Sequence, residues 1–299
     1  MDEKQWLADR FEEHRPRLQA VAYRMLGSLT DADDAVQDTW LRVSRAGADD
    51  IENLGGWFTT IVSRVCLNFL RSRNVRRAQP LDAHVPDPVV SREPALQPEE
   101  AALMADSVGL ALLVVLDTLS PPERLAFVLH DMFDLPFDEI APMVGRSPEA
   151  ARQLASRARR RVRGVEPPAP DADLERQREV VNAFFRAAHG GDFDGLVAVL
   201  DPDVVLRADF GAWRPALSRT ARGAQAVAGQ AMLAAFPNAQ LHPALVNGTA
   251  GVVITLGGRP FAVMGFLVVQ GKITEIDVVG EPERVRRITT GFLVDENLT

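Results

Sequence analysis

From Trp6 to Met25 the apolar residues recur three and four positions apart, so that Leu7, Phe11, Leu18, Val21, Ala22 and Met25 share one face of a helix. Gly27 and Ser28 end that run. Thr30 or Asp31 is placed to cap a second helix, with Ala35, Val36, Trp40, Leu41 and Val43 on its apolar side. After a loop over 47–56, a third helix buries Trp57, Phe58, Ile61, Val65, Leu67 and Leu70. The pattern lapses at 79–107, where Pro80, Pro86, Pro88, Pro94 and Pro98 exclude a long helix, and this stretch reads as a linker. Helical spacing returns over 108–163. Ser120, Pro121 and Glu123 form a helix start, Gly145 makes a turn, and Ser147-Pro148 starts a last helix. A second proline-rich linker covers 164–173. The period then changes. Residues 174–200 predict a helix pair broken at Gly190-Gly191, and alternating runs follow at 203–209, 248–258 and 260–280. The last of these folds back at Gln270-Gly271-Lys272 as a hairpin. The expected fold is multi-domain: two all-α domains at 6–78 and 108–163, then an α+β domain at 174–292.

Composition adds limits. The chain has 299 residues, 46% hydrophobic and 25% charged, the mix of an ordinary globular protein of about two domains. Cys66 is the single cysteine, so neither an internal disulfide nor a cysteine-based zinc site is available. It falls in an apolar helical run, where a buried structural thiol is the simpler reading than a reactive one. The charged start of the chain is unlike a signal peptide, and no apolar run approaches the ~18 residues of a membrane span. The expectation is a cytoplasmic protein with no membrane contact, metal or cofactor.

The net charge of -8 argues against nucleic acid only until its distribution is considered. Arginines cluster at 64–77 and 146–163, whereas acids cluster at 31–38 and in the C-terminal half. The segment Arg146–Arg163 carries seven arginines, with Ala150, Leu154, Ala158 and Val162 as a narrow apolar row. A solvated amphipathic helix is the plain reading of such a run. The preceding helix, the glycine turn and the Ser-Pro cap favour a helix-turn-helix. Ser147, Glu149, Arg152 and Gln153 then sit where a recognition helix reaches base edges. Later arginines such as Arg160 suit phosphates. In the third helix Arg64, Asn68, Arg71, Arg73, Arg76 and Arg77 can track a backbone, and Trp57 and Phe58 can stack on an unpaired base or simply pack in the core.

These segments resemble a family. Residues 31–43 (DADDAVQDTWLRV) look like the sigma-factor segment that docks on RNA polymerase. Residues 56–77 resemble the segment that melts and reads the -10 element, and 124–163 resemble the -35-reading domain. Their order and the linker between them are similar to the extracytoplasmic-function (group IV) sigma factors. The resemblance implies a sigma region 2 helical bundle and a sigma region 4 helix-turn-helix. Its implied partners are core RNA polymerase, promoter double-stranded DNA and the melted -10 single strand. It assigns Asp33, Asp34, Gln37, Asp38 and Trp40 to polymerase, Asn68 and Arg71 to the -10 element, and Arg146, Glu149, Arg152, Gln153 and Arg157 to the -35 element.

The C-terminal residues 174–292 resemble the SnoaL-like domain, a cone with a curved sheet and an internal pocket, which the SigJ-like subgroup carries as a fusion. Three motifs of that subgroup occur in altered form, at His84–Pro88, Asp209–Ala212 and Glu281–Val285. The resemblance implies that these motifs join the linker to the domain, and that the domain regulates in cis. Arg207, Asp209, Trp213 and His242 are the candidate pocket residues for a small ligand, with His242, next to Pro243, expected in a loop or at a strand start. Two rival readings are a DNA-targeted or vestigial SnoaL-type enzyme acting on a small hydrophobic molecule, and a repressor that never meets polymerase.

Overall fold

The computed structural model describes residues 3–48, 51–76, 84–92, 110–163, 169–234 and 238–293. The chain divides into two bodies, Met1–Gln79 with Leu112–Glu166, and Pro80–Ala111 with Pro167–Thr299.

In the first body, α1 (Glu3–Leu26), α2 (Leu29–Ala46) and α3 (Leu54–Arg76) pack around Phe11, Leu18, Val21, Met25, Val36 and Phe58. Phe11 and Phe58 meet edge to face at 5.2 Å. The cap of α2 is Ser28, not Thr30 or Asp31. Gly27 turns the chain at φ +64°, Ser28 is left extended, and its hydroxyl accepts from the Asp31 N–H at 3.3 Å. Cys66 is fully buried, and burial pushes its thiol up to about 12. It is a packing residue.

The same body contains α4 (Leu110–Asp117) from Leu112 onward, α5 (Pro121–Phe127), a π turn at Val128–Met132, α6 (Phe137–Val144) and α7 (Pro148–Arg163). The Glu123 carboxylate accepts from the Ser120 N–H at 3.2 Å and from its hydroxyl at 2.6 Å, as the helix-start motif predicts. Gly145, left-handed at φ +67°, ends α6, and the Ser147 hydroxyl accepts from the Ala150 N–H. The buried row of α7 is Ala151, Ala155, Ala158 and Val162, so Ala150 and Leu154 lie beside the stripe, half-buried. A strict spacing of four drifts around a helix of 3.6 residues per turn, whereas mixed steps of three and four stay on one side. Arg124, 2% exposed, joins the two helical sets. Its Nε and Nη2 donate to the Arg24 carbonyl at 3.1 and 3.0 Å, and Nη1 donates to Asp117.

The second body is α+β. Its sheet has the order β1-β4-β5-β6-β7-β2-β3, antiparallel except where β2 runs parallel to β7. The strands are β1 (Val90–Ser91), β2 (Leu200–Asp209), β3 (Arg219–Arg222), β4 (Ala239–Val246), β5 (Thr249–Leu256), β6 (Arg259–Val269) and β7 (Lys272–Val279). The helices α8 (Leu174–Gly190), α9 (Phe193–Val199) and α10 (Ala224–Leu233) pack with the inner-face core that includes Val252, Phe266 and Ile276. The later helices are α11 (Pro282–Ile288) and α12 (Thr290–Leu293). The predicted hairpin forms with positive φ at Gln270 and Gly271. Asp171 braces it by accepting from both turn N–H groups at 2.7 and 2.8 Å.

Two expectations change. Part of the 79–107 stretch is a strand: Val90 and Ser91 pair with Val246 and Leu245. His242 and Pro243 lie inside β4 rather than in a loop or at a strand start. Proline is tolerated there because, among the described residues, β1 pairs only with Leu245 and Val246, so no ladder bond is lost at Pro243.

Candidate nucleic-acid, polymerase and linker surfaces

On α3 the residues Trp57, Arg64, Asn68 and Arg71 are spaced by seven, four and three, which places them on one face. Arg64, Asn68 and Arg71 are exposed and Trp57 is half-buried, while Phe58 is entirely core. The side chains of Arg73, Arg76 and Arg77 lie outside the described residues. This face combines cations, an amide and a ring able to stack on a base.

On α7 the N-terminal residues Ser147, Glu149, Arg152 and Gln153 are exposed, as are Arg146, Arg157 and Arg160. The arginines are not equivalent. Glu123, buried in α5, accepts from Arg157 at 3.1 Å and from Arg161 at 2.9 Å. Burial raises the Glu123 carboxyl, but the Ser120 bonds and the two arginines outweigh it and hold the group below its ordinary value. Arg159 pairs with Asp131 at 2.7 Å, and Arg152 lies 5.4 Å over the Phe137 ring. Arg157 therefore has an internal partner that sequence reasoning did not supply, although the capping box had already singled out Glu123. Arg146 and Arg160 have no acidic partner among the described residues.

The acidic helix α2 exposes Asp33, Asp34 and Gln37, with Asp38 half-buried and paired to Arg42 at 2.9 Å. Gln19 donates to Asp33. Trp40 is half-buried, its ring 5.1 Å from Phe11, so it ties this face to the core. An acidic face repels DNA and suits a basic protein partner.

In the second body, residues 84–91 are gripped by the domain. Arg284 of α11 donates to Asp87 at 2.6 Å, to the Val85 carbonyl at 2.5 Å and to Asp209 at 2.7 Å. Asp209 also accepts from the Val85 N–H at 3.2 Å and lies 3.1 Å from the His84 ring. Asn247 closes the other end: its amide oxygen accepts from the Val89 N–H, and its own N–H donates to the Val89 carbonyl, both at 2.9 Å. Burial raises the Asp209 carboxyl, but His84 and Arg284 reverse that and hold it far below the usual carboxylate range. The three altered motifs meet here, and their replacement residues still form a connected network.

A cavity of about 260 Å³ opens on the inner face, lined by α8, α10 and the strands. Leu206, Ala208 and Phe210 line it, which turns Arg207 and Asp209 to the opposite face. None of the four predicted pocket residues lines it. Arg207 is held by Glu275 at 2.6 Å and Asp277 at 3.1 Å. Asp209 holds the linker, Trp213 is 46% exposed, and His242 meets the Thr255 hydroxyl at 3.0 Å. The polar lining residues that sequence reasoning missed are His189, Arg219 and Gln230. Asp277 is pushed up to about 6 by burial, with Arg207 opposing and Glu275 reinforcing the shift. No group of acidic, histidine or cysteine side chains suited to a metal ion occurs among the described residues.

A helix-turn-helix, a second cationic helix carrying a half-buried tryptophan, and an acidic helix together are the arrangement of a sigma-type transcription initiation factor. Comparisons agree. Residues 10–76 match the Sigma-70 region 2 family and residues 109–162 match Sigma-70 region 4. The chain is 36% identical over 287 residues to the ECF RNA polymerase sigma factor SigJ of Mycobacterium tuberculosis, covering 92% of this chain and 91% of that one. It is 36% identical over 287 residues to the probable sigma factor SigI of the same species, covering 90% and 91%. The crystal structure of the Mycobacterium tuberculosis SigJ superposes with a TM-score of 0.72 at 35% identity, over 95% of this chain and 98% of that one. The chain belongs to the extracytoplasmic-function sigma factors. It is an RNA polymerase sigma factor with a C-terminal SnoaL-like α+β domain. No described helix is long and apolar enough to cross a membrane.

Proposed function

We propose that the C-terminal domain regulates this sigma factor in cis by gripping the segment that joins its two DNA-reading regions. The supporting observation is the network of Arg284, Asp209, Asp87 and the Val85 backbone, extended by the β1–β4 pairing. A tethered linker shortens the free chain between the modules, and a shorter chain restricts the span they can bridge. The -10 and -35 names imply elements about 25 base pairs apart, or about 85 Å at 3.4 Å per step. In the first body, α3 touches α5 and α6. The two regions therefore separate to read both elements, and the length of free linker sets how far they move.

Within this reading Asp33, Asp34, Gln37, Asp38 and Trp40 meet core polymerase. Trp57, Arg64, Asn68, Arg71 and Arg73 face the melted -10 strand. Ser147, Glu149, Arg152 and Gln153 read the -35 duplex, with Arg146, Arg157 and Arg160 on its phosphates. Work with core polymerase places the protein in the cytoplasm. In this reading the C-terminal domain regulates transcription and is not catalytic.

The test uses the full chain with the double substitution Asp209→Ala and Arg284→Ala. Core polymerase binding stays within about twofold of the parent while run-off transcript yield changes severalfold. Unchanged yield with a released linker refutes the reading. Loss of polymerase binding assigns the domain a different role.

A further inference from the structure

The cavity of the C-terminal domain has a lopsided chemistry. Its described lining is apolar apart from His189, Arg219 and Gln230, and none of it is acidic. Arg219, half-buried, donates from Nη1 to the Gln230 amide oxygen at 2.6 Å and from Nη2 to the Ala216 carbonyl at 3.1 Å. No carboxylate pairs with it among the described residues. A guanidinium beside an apolar hollow, held by neutral acceptors only, retains its attraction for an anion. A hollow of about 260 Å³, mainly apolar with a few polar groups on its wall, has the make-up of a small-ligand pocket. At about 30 Å³ per water-sized atom it accommodates roughly nine non-hydrogen atoms.

We propose that this cavity binds a small apolar monocarboxylic acid. Its hydrocarbon body lies among Phe184, Leu206, Phe210, Phe261 and Met264, and its carboxylate meets Arg219. Apolar contact supplies the affinity and the single cation selects the charge, the division of labour common in ligand pockets.

Occupancy reaches the linker through β2. Phe210 lines the cavity, and the residue before it, Asp209, grips Val85 and Arg284 from the other face. Phe210 has little freedom to move independently. Its N–H donates to the Ser218 hydroxyl at 2.9 Å, and its ring lies so close to Gly280 that a Cβ there would be 2.2 Å away. The Gly280 N–H in turn donates to the Asp209 carbonyl at 2.8 Å. A ligand that fills the space beside Phe210 orders the strand end that carries Asp209 and tightens the hold on the linker. This coupling rests on the cis-regulatory reading; the binding site does not.

The experiment titrates the full chain with octanoate and benzoate, and with 1-octanol as the uncharged counterpart, by calorimetry. At least one acid binds saturably, with octanoate at least tenfold tighter than octanol if it is the better acid. Arg219→Gln removes that advantage and leaves octanol binding unchanged, and its unaltered circular dichroism shows that the domain still folds. Saturating acid slows amide exchange at Val85 and Val89 at least threefold. Failure of both acids to bind the parent chain overturns the site, as does an Arg219→Gln chain that binds them equally well. Binding with unaltered exchange overturns the coupling alone. Neither result bears on the run-off comparison of the linker-grip variants, which contains no acid.

Discussion

The two faces of the C-terminal sheet differ in kind although they alternate along the same strands. Leu206, Ala208 and Phe210 of β2 turn to the apolar hollow, and Arg207 and Asp209, interleaved with them, turn to ion pairs. The inner face keeps the general character of a pocketed domain. The charged face has been put to a particular use, since Asp209 holds a linker segment from a distant part of the chain. Alternation allows the two roles to coexist, because a strand is read in steps of two. Even within the charged face the aspartates differ. Asp209 sits between His84 and Arg284 and is held ionised, whereas Asp277 shares one arginine with Glu275 and is pushed toward its protonated form.

The sharpest break in this comparison is Arg284→Met. It removes the guanidinium that the buried carboxylates Asp87 and Asp209 share. Removing one partner of a buried pair costs about 3–5 kcal/mol, and denaturant unfolding of the second body should register a loss of that size. Exchange at the Val85 amide should accelerate at least tenfold. A loss below 1 kcal/mol refutes the network.

The two aspartates predict opposite pH behaviour. The folded protein holds a proton on Asp277 up to about 6, above its ordinary value of 3.8. The folded state therefore binds more protons than the unfolded chain in that window, and stability falls as pH rises through it. Asp277→Asn removes this cost and stabilises the protein at pH 8 by up to about 3 kcal/mol, with the gain vanishing near pH 4. Asp209, depressed, contributes stability above its ordinary value, and this is lost as pH falls. Asp209→Asn thus weakens the protein by a nearly constant amount from pH 7 down to about pH 4 and still weakens it at pH 3, because the contribution is lost only as pH falls below the ordinary carboxylate range. Thermal melts across pH 3–8 separate the two, and parallel curves for both variants contradict the assignment.

In the first body the comparison is between arginines with internal partners and those without. Gln153→Ala changes preference at one base pair of the -35 element by about 1–3 kcal/mol, whereas Arg160→Ala weakens all sequences alike and lowers the salt slope by about 1. Glu123→Gln costs about 1 kcal/mol of stability or less, because solvent screens Arg157 and Arg161. It frees both for phosphate, and the salt slope steepens. An unchanged slope shows that Glu123 does not restrain them.

Much of the first body was legible because its determinants are local. Helical spacing, the Ser120–Glu123 box and Gly145 act within a few residues of one another, and they placed the helix-turn-helix correctly. The linker strand was not legible. Val89 meets Asn247, 158 residues away, and no local pattern encodes that pairing. β3, β4 and α10 were missed for a related reason: their sequences are short or weakly patterned, and neighbouring elements decide their state. The pocket residues went astray on a subtler point. Alternation in β2 separates two faces, but both faces of this strand are largely buried, so the polar set was assigned to the hollow. The charges were placed on the right strand and the wrong side.

The account's central claim is that the C-terminal grip on the linker sets the span between the -10 and -35 readers. Run-off transcription with core polymerase, on promoters whose spacing varies one base pair at a time, tests it directly. The account predicts a narrow spacing optimum for the parent chain and a broadened one for the Asp209→Ala, Arg284→Ala chain. Superimposable spacing profiles would contradict it.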